Sequence, residues 1–83
     1  MSKAEKLLAR LCSVPKDFTW SELVAVMEKN GFTLHTGSGS GRKFIHETQQ
    51  ITVAMHEPHP GNIVKPYALR LAIDGLKQTG AIK

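Results

Sequence analysis

Three short runs of alternating side chains lie close together between residues 32 and 56: Phe32-Thr33-Leu34-His35, Arg42 to Glu47, and Ile51 to His56. Residues 36–41 join the first two, and a polar turn around Thr48-Gln49 joins the last two. A parallel connection needs a crossover of about a dozen residues or more, so runs spaced this closely pair as an antiparallel meander. Side chains alternate faces along a strand, so Ile51, Val53 and Met55 share one face and Thr52, Ala54 and His56 the other. Arg42, Phe44 and His46 likewise share a face.

The flanking segments read as helices. Ser2-Lys3-Ala4-Glu5 is a capping box, and Ala4, Leu7, Leu8 and Leu11 follow at i, i+3, i+4, i+7, which predicts a helix over about residues 3–12. Val14-Pro15 stops it, because the residue before a proline is pushed out of the helical region. Thr19-Trp20-Ser21-Glu22 is a second capping box, with Phe18 and Leu23 at the positions of a hydrophobic staple. Trp20, Leu23, Val24 and Met27 then form one stripe, read as core, and Asn30-Gly31 suits a left-handed cap. Pro66 fits the first position of a last helix whose stripe is Leu69, Ala72, Ile73 and Leu76. Gly80 caps it, with Ile82 folding back as the apolar contact. The order is ααβββα, an α+β chain.

A chain of 83 residues makes one small domain with a modest core. Hydrophobic residues at 41% argue against disorder. No apolar run approaches a membrane span, and the first residues are too charged for a signal peptide. Cys12, the sole cysteine, cannot form an internal disulfide, so a reducing cytoplasm is the default location. Cys12 itself reads as a small buried helix residue rather than a nucleophile. The net charge of +4 is uneven: residues 1–41 carry five Lys/Arg against four Asp/Glu, and residues 42–83 six against three. An excess of that kind suits an anionic partner, nucleic acid being the commonest.

The surplus begins at a loop. Gly37, Ser38, Gly39, Ser40 and Gly41 run directly into Arg42-Lys43. Glycines bring bare backbone N–H groups close to an anion, serines add hydroxyl donors, and the two cations add charge. The loop therefore reads either as a phosphate-facing turn or as a flexible hairpin tip with solvated charges. It is no Walker loop, because Phe44 follows Lys43 and the glycine spacing differs.

A second stretch, His56-Glu57-Pro58-His59-Pro60-Gly61, places two of the four histidines in a proline-stiffened loop. Histidine titrates near neutral pH and can take a proton from one oxygen and return one to another. RNA carries its own nucleophile in the 2′-OH. A base, an acid and a cation to hold the developing phosphorane charge suffice to cleave it, with no metal or other cofactor. His56 or His59 with Arg42 and Lys43 would supply those parts if the two stretches meet. The competing reading makes both histidines turn residues with local hydrogen bonds, and a zinc site lacks the accompanying cysteine pair. His35 reads as a solvent-side strand residue and His46 is ambiguous.

Gly31-Phe32, the Gly-Ser loop, Arg42-Lys43-Phe44, the His56 to Pro60 stretch and the closing helix with Gly80 together resemble the HicA family, small toxins of bacterial toxin–antitoxin pairs. The resemblance runs from about residue 19 to 82. It implies one domain over 1–83, with 19–82 as the core and 1–14 as an N-terminal helical extension. It also implies a fold like the double-stranded-RNA-binding domain, with helices on one face of a three-stranded sheet. The activity implied is cleavage of mRNA, an interferase role in stress response, neutralised by a HicB-like antitoxin. The family's catalytic histidine follows a Gly-Ser pair in the loop, whereas here Gly39-Ser40 is followed by Gly41.

That departure leaves three readings. In the preferred one, the cations after the loop and the His56/His59 stretch carry the chemistry. In the second the chain only binds RNA, and in the third His35 or His46 takes the role. On the preferred reading His56 and His59 are catalytic. Ser38, Ser40, Gly41, Arg42 and Lys43 hold the RNA backbone; on the second reading Lys65 and Arg70, at the start of the last helix, join Arg42 and Lys43 on phosphates. A DNA reader built on the helix at 20–30 ranks last, because Glu22 and Glu28 on its polar face repel phosphate.

Overall fold

The meander forms as its spacing requires. A computed structural model, describing residues 3–37, 39 and 41–82, has β1 (Thr33–Thr36), β2 (Gly41–His46) and β3 (Ile51–His56) in one antiparallel sheet of order β1-β2-β3. Two helices precede it, α1 (Lys3–Cys12) and α2 (Trp20–Lys29), and α3 (Pro66–Thr79) follows. The class is α+β, with an open sheet. In the β1/β2 register Leu34 faces Phe44 and His35 faces Lys43; in β2/β3, Gly41 faces His56, Lys43 faces Ala54 and Phe44 faces Val53.

The helices cover one sheet face. Phe44, Val53 and Met55 are buried there against Leu23, Val26 and Met27 of α2 and Ala68, Leu69, Ala72 and Leu76 of α3. On the other face Lys43, Thr52, Ala54 and His56 stay exposed. The close approach of α3 depends on Gly75, where a Cβ would overlap Val53 Cγ2. Phe18, Phe32 and Val64 complete the core from the connections.

The second capping box forms in full. Glu22 N–H donates to Thr19 Oγ1 at 3.2 Å, and Thr19 N–H donates to Glu22 Oε1 at 2.9 Å. These reciprocal bonds satisfy two otherwise orphaned donors at the helix start. Thr19 N–H as donor, ahead of the Thr19 hydroxyl and Arg10, holds the Glu22 carboxyl below its ordinary value. Both staple residues, Phe18 and Leu23, are fully buried. Of the expected α2 stripe Leu23 and Met27 are fully buried and Trp20 and Val24 half-buried, while Val26, outside that stripe, is buried as well; Trp20 rests on Phe44 with ring centroids 5.5 Å apart. Pro66 opens α3, and Gly80 closes it with φ +86 while Ile82 packs back on the core.

Cys12 is exposed rather than buried, because it ends α1 one position beyond Leu11, the residue that enters the core. The capping box at Ser2 lies outside the described residues. α1 is held to α2 by Arg10, which reaches Glu22 at 2.8 Å and Asp17 at 2.7 Å and lies over the Phe18 ring.

Candidate functional site

The two stretches singled out in the sequence meet at one end of the sheet. The Gly-Ser loop leads into β2 at Gly41, and the histidine turn leaves β3 at His56, so the register that pairs Gly41 with His56 brings them side by side. Gly37 N–H donates to Gly41 O at 3.3 Å, closing the loop base. Arg42 then ties loop to turn. Its Nε donates to Glu57 Oε1 at 2.9 Å, and its Nη1 donates to Gly39 O at 2.9 Å and Gly41 O at 2.8 Å.

Neighbours in sequence, Arg42 and Lys43 part company in space because strand side chains alternate. The Arg42 side chain, 18% exposed, is committed to the clasp with Glu57. Lys43 stands exposed on the open face, across from His35 on one side and Ala54 on the other. His56, two residues beyond Ala54, shares that face. The open face therefore carries His35, Lys43 and His56 near the loop, with Gly41 leaving bare backbone beside His56. His35 is half-exposed, its Nε2 lying 3.9 Å from Glu47 Oε1.

His46 is separate. It ends β2 away from the loop, stands edge-on to Phe32 with centroids 5.3 Å apart, and accepts Gln49 N–H at Nδ1. That packing sets it at the opposite end of β2 from the Gly-Ser loop.

Two grooves share His56. The first, of about 720 Å³, is lined by His35, Lys43, Gly41 and His56 among others; the second, of about 640 Å³, by His56, His59, Lys65 and Ile63. Tyr67, in the first turn of α3, lines both. A smaller recess of about 290 Å³ lies between loop and turn, bounded by Gly39, Arg42, Glu57, Pro58 and His59. The larger volumes suit a nucleotide-sized guest. Lys65, the residue preceding α3, is exposed in the second groove, whereas Arg70 is exposed but lines none of the three. Ser38 and Ser40 lie outside the described residues. Among the described residues, no three of His, Cys, Asp and Glu gather to hold a metal ion, and no helix is long and apolar enough to cross a membrane.

Two residues of the site escaped the sequence reading. Glu57 was one member of the histidine stretch, with nothing local to mark it as the partner of Arg42, 15 residues away. Tyr67 left a faint signal, since it falls outside the Leu69, Ala72, Ile73, Leu76 stripe.

Together these features define a small α+β domain whose open sheet face and adjoining turn gather histidines and lysines at one end. The family model for the HicA toxin of bacterial toxin–antitoxin systems matches residues 20–81, and the chain belongs to that family. The match begins at α2, so α1 lies outside it even though Leu11 is fully buried in the shared core. No curated protein and no solved structure matches the chain significantly.

Proposed function

We propose that this toxin is an endoribonuclease that cleaves mRNA through the RNA 2′-OH, with His56 as the central catalytic group. What supports the reading is the pairing of Gly41 with His56. At the position where the family carries its loop histidine, this chain has a glycine, and the residue facing it across the strand pair is a histidine. An imidazole is thus supplied to the same end of the sheet from the neighbouring strand.

RNA runs from the open sheet face, past His56, into the second groove. Lys43 meets a phosphate in the first groove and Lys65 one in the second, while the loop amides and Ser38 and Ser40 hold the backbone. His56 takes the proton from the 2′-OH, whose oxygen attacks phosphorus as the bond to the 5′-oxygen breaks. His59, which lines the second groove with His56, returns a proton to that leaving oxygen. The products are a 2′,3′-cyclic phosphate and a 5′-hydroxyl. Arg42 acts chiefly by holding the loop against the turn, because Glu57 already balances its charge. A HicB-like antitoxin with acidic side chains would silence the toxin by covering this basic end, all within the cytoplasm.

Purified protein incubated with single-stranded RNA in EDTA tests the mechanism. Cyclic phosphate ends are expected, with an all-2′-deoxy strand left intact and His56→Ala inactive yet still able to bind. Cleavage of the deoxy strand, or loss of activity on chelation, would refute it. Binding without cleavage by the unmodified protein would leave the alternative, a catalytically silent RNA-binding module.

A further inference from the structure

Among the described residues three large apolar side chains are exposed: Ile63 at 43%, Tyr67 at 50% and Leu71 at 44%. Leu71 lines none of the three grooves and Ile63 lines only the second, but Tyr67 lines both grooves that share His56. It sits in the first turn of α3, ahead of the residues Ala68, Leu69, Ala72 and Leu76 that anchor the helix in the core. Its backbone is therefore fixed in a helix anchored to the core while half its surface faces solvent. Cations stand on both sides, Lys65 in the second groove and Lys43 in the first.

We propose that Tyr67 is a nucleobase platform, on which the base next to the phosphate held at His56 stacks. The inference rests on the RNA-cleavage reading above and names the positioning element of that same site. Single-stranded RNA leaves its bases unstacked and free to lie on an aromatic face, and every base has such a face. A ring between two lysines meets the alternation the strand offers, phosphate then base then phosphate. Such a stack fixes where the strand lies along the groove, and hence which phosphate reaches His56, without choosing among the four bases. Sequence tolerance at the stacked position is the consequence.

The test uses a short RNA with one cleavable linkage, every other 2′-OH removed, and versions lacking the base on either side of that linkage. In the unmodified protein, removing the base on one side only should lower kcat/KM by about 5- to 150-fold, the equivalent of about 1–3 kcal/mol of base–aromatic stacking. Tyr67→Ala should lose a similar factor on the intact strand and nothing further on the abasic one. Tyr67→Phe should keep the full rate, which separates a stacking ring from a phenol that moves protons. Thermal melting should show all variants folded, since the side chain is half exposed.

If the protein cleaves RNA and Tyr67→Ala matches it on every strand, the platform is refuted and the cleavage reading stands. If the protein cleaves nothing, polarisation measurements with the same strands decide. Tyr67-dependent discrimination against the abasic strand keeps the platform, and equal binding by Tyr67→Ala refutes it. Unchanged RNA affinity in Tyr67→Ala, with loss of suppression by the antitoxin, would also refute it and assign the ring to a protein partner.

Discussion

Gly31→Ala tests what the packing of His46 contributes to the fold. Gly31 follows α2 with φ +93, and a Cβ there would lie 2.7 Å from His46 Nε2. A left-handed backbone alone costs an L residue about 1–2 kcal/mol. The methyl group must also displace the imidazole, which stands edge-on to Phe32 and accepts Gln49 N–H at 3.2 Å. Losing the ring contact costs about 0.5–1.5 kcal/mol, and losing the hydrogen bond about as much again. The substitution should therefore destabilise the fold by about 2–5 kcal/mol, a large share of the roughly 4–12 kcal/mol available to a chain this short at about 0.05–0.15 kcal/mol per residue. Urea unfolding followed by the fluorescence of Trp20, the only tryptophan, measures it. In a His46→Ala background the ring is gone, and Gly31→Ala should cost only the backbone share of about 1–2 kcal/mol. An equal cost in both backgrounds would show that the ring is not what the methyl group meets. His46→Ala alone should keep any RNA cleavage, since His46 lies at the far end of β2 from Gly41, and its loss would return His46 to the list of catalytic candidates.

Lys43→Ala should flatten the salt dependence of binding to an uncleavable single strand by about 0.7 in the slope of log K against log salt, the loss of one phosphate contact. Arg42→Ala should flatten it by less than half as much, because Glu57 already neutralises that guanidinium; equal slopes would mean the clasp opens when RNA binds. At the start of α2, Thr19→Ala should cost about 0.5–2 kcal/mol in urea unfolding at neutral pH. Glu22, held below its ordinary value, contributes stability that is fully present above the unfolded carboxylate pKa of about 4.3 and is lost as pH falls through the lower folded value. The gap between the unmodified protein and Glu22→Gln should thus close on acidification below about pH 4, and a gap constant from neutral to strongly acid solution would refute the capping account.

Local rules carried the sequence far. The Thr19 capping box, proline and glycine signals and apolar spacing located the three helices, because each rule acts within four or five residues, and the Thr19–Glu22 bonds form in the fold. Short connections dictated the antiparallel meander for an equally local reason, since a chain of a few residues can only turn back. Alternation along the strands put Val53 and Met55 on one face and His56 on the other, and the packing of the helices then buried the first. The family, too, was legible in the order of short motifs, including the departure at Gly41.

What the tertiary structure alone decided is which residues from distant stretches face each other. Nothing local sets Gly41 opposite His56, ties Arg42 to Glu57, or seats His46 over Gly31; these follow from strand register and from how the helices pack. The same holds for Cys12, whose exposure depends on how α1 is rotated against α2, and for Tyr67, which stands beside His56 only because α3 packs along β3. Periodicity assigns a side chain to a face of its own element, but a site is built from the faces of several, and their juxtaposition is set by the packing of a core shared by the whole chain.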